Sequence, residues 1–232
     1  MKLNSSIYLV SESIKFNPEG ITKFGSFDTL HSLQLYSALV LNHEEIFSDL
    51  FNSKFVQYCF DEKDKEFLPG EFLKSSENLV FGEPDNKQKL FRTLSEKYFP
   101  QYNKNLLVFS NSIGITPEDI QRAFNLLSVE DEAVVIGKTN NFKIAFIGLN
   151  FENPDFLFDM DLTNLNYDNL LYKINQHDIF VHVLGNYMLI ENTEDFKNLY
   201  AELSKKESLA YCSQKMHERF TNLFIEYKEL LK

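Results

Sequence analysis

Two cysteines in 232 residues, Cys59 and Cys212, exclude much of the chemistry a chain of this size could carry. They lie far apart, no Cys-x-x-Cys pair exists, and the five histidines are scattered, so zinc sites and redox motifs have no ligand set. Both thiols are expected as reduced core fillers. No apolar run approaches the roughly 18–20 residues a membrane helix needs. The opening MKLNSSIYLV has too short an apolar segment for a signal peptide, and no small-residue cleavage pattern follows it. The expected setting is therefore cytoplasmic. There is no Gly-x-Ser-x-Gly elbow, and Ser110 and Ser112 have no histidine close in sequence, which leaves a hydrolase triad unsupported. Positive charge is scarce: 23 Lys and Arg against 34 Asp and Glu give a net charge of −11 and a pI of about 5.0. A field of that sign repels nucleic-acid phosphates, so no nucleic-acid partner is expected. A local pocket of lysines or backbone N–H groups can still hold a nucleotide.

What the chain does contain is enough apolar material for one core. Hydrophobic residues make up 44% and the mean hydropathy is −0.28, the profile of a soluble globular protein expected to form one domain. Tryptophan is absent, but 23 Phe and 11 Tyr are present. In so acidic a chain these rings read as core rather than as stacking surfaces for single-stranded nucleic acid. Internal repeats, low-complexity tracts and an interdomain linker are missing.

Apolar runs at Ile7–Val10, Phe55–Phe60, Leu79–Phe81, Asn105–Ser110, Ala133–Ile136, Ile144–Leu149 and Ile179–Leu184 read as strands. Helical periodicity appears over 28–41, 86–99, 165–174 and from Thr193 onward. The charged stretch 61–77 reads as surface loop. Thr116-Pro117-Glu118-Asp119 is a strong helix start: a Thr cap, Pro at the first helical position, acids in the first turn. Ile120, Ala123, Phe124 and Leu127 then share one face. From about 206, Leu209, Cys212, Met216, Phe220, Phe224, Tyr227 and Leu231 recur at spacings of three and four, which predicts one long amphipathic helix. It either packs back on the domain or pairs with a second subunit as a homodimer contact.

Strands alternating with helices predict a three-layer α/β/α fold with a mainly parallel sheet. Ligands of such sheets sit beyond the C-terminal strand ends. The turn Ser110–Ile115 lies at such an end and feeds a helix N-terminus, where an anion or nucleotide is expected.

The order strand, S-N-S-I-G-I-T, helix, then V-V-I-G-K-T-N-N-F-K-I-A-F-I-G-L, then L-I-E-N-T-E-D-F resembles a bacterial glycosyltransferase-like family of the nucleotide-diphospho-sugar transferase superfamily, with a GT-A-type fold. The resemblance covers most of residues 6–203, is best over 79–149 and poor before 60, and leaves out the C-terminal helix. It implies a GT-A-like domain over 1–204 with an added helix over 205–232. In the family's G-S/T-D-x-P-G-L-T motif, Ser110, Gly114 and Thr116 match, Asn111 stands for the aspartate and Ile113 for the proline. In its G-P-x-x-D-G-G-Y-Y-L-I-G-L motif, Gly137, Ile147, Gly148 and Leu149 match. There Asn141 stands for the aspartate, and Phe142, Lys143 and Ile144 stand for Gly-Gly-Tyr. Asp85 and Lys89 fall in a D-L-G-E-R-L-like helix start, Lys23 in a basic N-terminal element whose Thr-Arg is gone, and Glu191 where an acid is common.

The resemblance implies a nucleotide or nucleotide-sugar ligand, held by Lys23, Asp85, Lys89, Ser110, Asn111, Gly114 and Asn141. It implies Mg²⁺ or Mn²⁺ only if a metal site survives, with Glu191 the candidate ligand. Transfer from a nucleotide-sugar needs its diphosphate neutralised, usually by a cation on carboxylates. Asn keeps the shape of Asp and loses its charge, so two such replacements predict a catalytically degenerate member. Asp159, Asp161 and Asp195 are further carboxylates that could serve, and Lys143 a further cation for a diphosphate. The alternatives are an active transferase with altered metal use and a non-catalytic interaction module.

Overall fold

Every residue of β1 (Ser6–Val10) is buried, so both faces of this strand are covered. Alternation sorts its side chains: Ile7 and Leu9 join one apolar cluster, Tyr8 and Val10 another. β4 (Asn105–Phe109) repeats the division, with Leu106 and Val108 on one side and Leu107 and Phe109 on the other. That is the signature of a sheet sandwiched between two helical layers. The structure is a computed structural model; it describes residues 5–11, 13–50, 56–73, 78–82, 87–151 and 166–231.

The remaining strands are β2 (Val56–Asp61), β3 (Leu79–Gly82), β5 (Ser112–Ile113), β6 (Ala133–Thr139), β7 (Ile144–Leu149) and β8 (Phe180–Leu189). They form an eight-stranded sheet in the order β3-β2-β1-β4-β7-β6-β8-β5. β3, β2, β1 and β4 run parallel, as do β6 and β8. β7 is antiparallel to β4 and β6, because only a tight hairpin separates it from β6.

The helices are α1 (Thr29–Leu50), α2 (Gly70–Leu73), α3 (Lys87–Lys97), α4 (Pro117–Leu126), α5 (Tyr167–Ile174), α6 (Thr193–Leu203) and α7 (Gln214–Glu226). α1, α4, α6 and α7 supply the first apolar cluster, and α3 and α5 the second. α4 begins as expected: Thr116 and Asp119 bond each other's backbone N–H in a capping box, with Pro117 at the first helical position. Both cysteines are buried free thiols, and burial pushes both up, Cys212 to about 12.

Three differences from the sequence reading have physical causes. The C-terminal stretch is not one helix. A 3-10 turn over Lys206–Ala210 precedes α7, and another follows over Lys228–Leu231, although the apolar spacing runs on. Ser213 breaks the helix by capping a new one, its hydroxyl accepting from Met216 N at 3.3 Å. Met216, Phe220, Leu223 and Phe224 of α7 are buried in the same cluster as Phe196 of α6. Residues 61–73 are not simply loop: a 3-10 turn at Glu62–Asp64 and α2 lie there, and Asp64 is fully buried. Third, β8 runs five residues past the expected Leu184, because β5 pairs with its far end.

Candidate functional site

The crevice forms where β4, β6 and β8 end. Ser110 is buried, and its N–H reaches Val10 O at 2.9 Å, so it extends the pairing rather than facing a ligand. The chain then turns through Asn111 into β5, which pairs Ser112 with Leu189. Gly114 follows at φ +92, a conformation L side chains rarely adopt, beside Asn186 and Tyr187. Its role is to make the turn. The carbonyl of Asn111 accepts Ile190 N at 2.9 Å, which puts Asn111 next to Glu191. Asn111 is 9% exposed, and its Oδ1 has no partner among the described residues. A buried amide oxygen left bare costs about 1–3 kcal/mol.

Opposite lies the β6–β7 hairpin. The Thr139 hydroxyl donates to Asn141 Oδ1 at 2.5 Å and accepts from Lys143 N at 2.9 Å. Asn141 is thus partly spent on its own turn. Phe142 holds φ +62, which explains why glycine suits this position. Its exposed ring lies under the Lys138 ammonium, 4.5 Å from the centroid, and the same ammonium is 4.9 Å from the Tyr167 ring. Below the hairpin, Gly137 is required: a Cβ there would stand 2.3 Å from the Phe146 ring.

Between hairpin and α6 a cleft of about 380 Å³ remains open. Asn140 and Asn141 form one wall, Tyr187 and Met188 of β8 the floor, and Asp195, Asn198 and Glu202 of α6 the other wall. Burial pushes the Tyr187 phenol up. Three acids stand at or near this cleft, and Glu202 of its wall is paired with the Lys205 ammonium. Glu191 forms an ion pair with the Lys143 ammonium. Asp195 accepts Glu191 N at 3.0 Å and Asn192 N at 3.2 Å as part of the α6 capping box. Burial raises its carboxyl above the usual range, against the pull of those N–H groups. Among the described residues, no group of three His, Cys, Asp or Glu could hold a metal ion.

The structure brings only some of the candidate residues together. Asn111, Asn141, Lys143, Glu191 and Asp195 share the crevice region. Lys23 is exposed on the loop that packs against α6: Phe24 meets Phe196 with ring centroids 6.3 Å apart, and a Cβ on Gly25 would lie 2.7 Å from Thr193 Oγ1. Lys89 is exposed on α3, which follows the edge strand β3, and it is not among the residues that line this cleft. Asp85, Asp159 and Asp161 lie outside the described residues.

Some residues escaped the sequence reading. Asn198 and Glu202 follow Asp195 by three and seven, a polar stripe about 100° round the helix from Phe196, Leu199 and Leu203, so their signal was present. Ser112 does have a histidine partner, His43, with Nε2 3.2 Å from its Oγ and 2.8 Å from its carbonyl. Both are buried and the Ser112 hydroxyl donates to Phe109 O, so the pair is structural. Burial lowers His43 to about 4.

Neither a protein-family model nor a curated protein matches the sequence. Solved structures do match the fold. A protein assigned as a nucleotide-diphospho-sugar transferase from Desulfovibrio desulfuricans G20 superposes with a TM-score of 0.67 at 15% identity, over 100% of this chain and 97% of that one. The 4-diphosphocytidyl-2C-methyl-D-erythritol synthase of Anaerococcus prevotii gives 0.52 at 14% identity, over 88% and 99%. A CMP:2-keto-3-deoxy-manno-octonic acid synthetase complexed with CTP gives 0.51 at 6% identity, over 87% and 98%. With its crevice at the C-terminal strand ends and β7 reversed within an otherwise mainly parallel sheet, the chain has the GT-A-like fold of the nucleotide-diphospho-sugar transferases.

Proposed function

We propose that this protein binds a nucleotide-sugar in the crevice between the β6–β7 hairpin and α6, and has lost metal-dependent transfer. The observation that carries this reading is the commitment of the local charges. Asn111 and Asn141 are neutral, Glu191 is paired with Lys143, Glu202 with Lys205, and Asp195 caps α6. A hard divalent cation favours charged, available oxygens, and this arrangement offers few. Amides and carboxylates along a cleft of about 380 Å³ suit the hydroxyls of a sugar. An anionic diphosphate would draw on Lys143, by displacing Glu191 from a half-exposed ion pair of little strength. Fold likeness to nucleotidyl and sugar-nucleotide enzymes supports the ligand class and is an analogy for the chemistry.

The Asn111→Asp/Asn141→Asp double variant tests the reading. It should gain Mn²⁺ affinity at least tenfold over the native chain, measured by calorimetry. Equal, tight Mn²⁺ binding by both proteins would mean that a metal site exists elsewhere, and would favour an active transferase with altered metal use.

A further inference from the structure

Helix α7 turns one face into the domain and leaves the other open. Met216, Phe220, Leu223 and Phe224 are buried, whereas Gln214, Glu218, Thr221 and Ile225 are exposed at spacings of four, three and four. Lys228, in the turn that follows, continues this outer stripe, because it lines the same groove as Thr221 and Ile225. The groove has a volume of about 390 Å³ and runs between α6 and α7, with Tyr200, Leu203 and Phe224 as its apolar lining. The Tyr200 ring meets Phe224 edge-on, centroids 5.2 Å apart, and remains 45% exposed. Beside it stands Ile225, 65% exposed. No residue lines both this groove and the crevice, which opens on another face of α6.

Single exposed apolar side chains are ordinary. The charge placed around this one is what identifies an occupant. Glu218 and Lys228 are both exposed and form no ion pair among the described residues. They stand about 15 Å apart along the helix axis. A second copy of α7 laid antiparallel, with a two-fold axis at the level of Leu223, sets Glu218 against Lys228 of that copy at both ends. The same axis sets Ile225 of each copy against Thr221 of the other, at the groove. One symmetry operation thus matches acid to base and apolar knob to apolar groove. A parallel pairing would set Glu218 on Glu218 and Lys228 on Lys228, so charge selects the antiparallel one.

We propose that this face is a homodimer surface, on which α7 pairs antiparallel with α7 of a second copy, Ile225 seated in the other copy's groove and Glu218 paired with its Lys228. Two helices of 13 residues overlap over about 20 Å, a contact at the small end of specific interfaces, so Kd should be about 10–100 μM. The test is sedimentation velocity of the full chain from about 5 μM to about 1 mM. The native chain should pass from monomer to dimer over that range, and less readily as ionic strength rises from about 50 mM to about 500 mM. Ile225→Arg should remain monomeric throughout; its side chain is exposed, so circular dichroism should show an unchanged fold. Glu218→Lys and Lys228→Glu should each raise Kd about tenfold, since either sets like charges together twice. Glu218→Lys/Lys228→Glu in one chain exchanges the charges and should restore the native Kd, which a merely structural effect of either substitution would not do. A native chain still monomeric at about 1 mM would give the groove to another occupant and overturn the proposal. So would a dimer indifferent to Ile225→Arg, or a double variant no tighter than the single ones.

Discussion

Asp64→Ala should cost the fold about 4 kcal/mol, although the residue sits in a charged run that looks like surface. The side chain is fully buried and accepts three backbone N–H groups. Removing it leaves the Lys15 and Phe16 donors bare in the interior, at about 1–3 kcal/mol each. The Asn17 bond is half-buried, and water can replace it there. Asp64→Asn separates the terms. Oδ1 serves Phe16 and Asn17, and an amide oxygen can keep both bonds; Oδ2 serves Lys15, and an amide NH₂ there meets a donor. The asparagine variant should therefore lose about 2 kcal/mol, half the alanine cost. Urea unfolding followed by circular dichroism measures both. For a chain this long the alanine loss corresponds to a melting shift of about 8–16 °C. An alanine variant within about 1 kcal/mol of the native chain would refute the reasoning, as would asparagine costing more than alanine.

Other consequences are as direct. Gly137→Ala drives a Cβ to 2.3 Å from the Phe146 ring and should cost about 1–3 kcal/mol by overpacking; Phe146→Leu in the same chain should recover part of that loss, a coupling that denaturant titration of the four proteins would reveal. Phe220→Ala, fully buried in the cluster shared by α1 and α6, should cost about 3–5 kcal/mol, and removing residues 213–232 should unfold the chain rather than merely alter its assembly, checked by light scattering and circular dichroism. His43 titrates near 6.5 unfolded and about 4 folded. The unfolded chain therefore binds the extra proton between those values. Stability is full above pH 6.5 and falls by up to about 3 kcal/mol as pH drops to 4, and His43→Gln should flatten that part of the stability profile.

The strand–turn–helix core was legible because local signals and tertiary demand agree there. Leu106–Phe109 is apolar on both faces, and the Thr116 cap with Asp119 needs nothing beyond four consecutive residues. Asp64 was hidden because Asp61, Glu62, Asp64 and Glu66 look equally solvated, and only the distant loop 15–17 distinguishes one of them. The Ser112–His43 pair spans 69 residues. Ser213 showed no sign of ending a helix because the apolar spacing continues through it. At the crevice, the sequence named Asn111, Asn141 and Glu191. It could not show that Lys143 neutralises Glu191 or that Asp195 is spent on a cap.

The most direct test of the central claim is calorimetric titration of the native chain with uridine and guanosine diphosphate sugars, with and without Mn²⁺, followed by a search for released nucleoside diphosphate. The account predicts binding of the same strength in both conditions and no product. Binding that requires Mn²⁺, with release of the diphosphate, would contradict it.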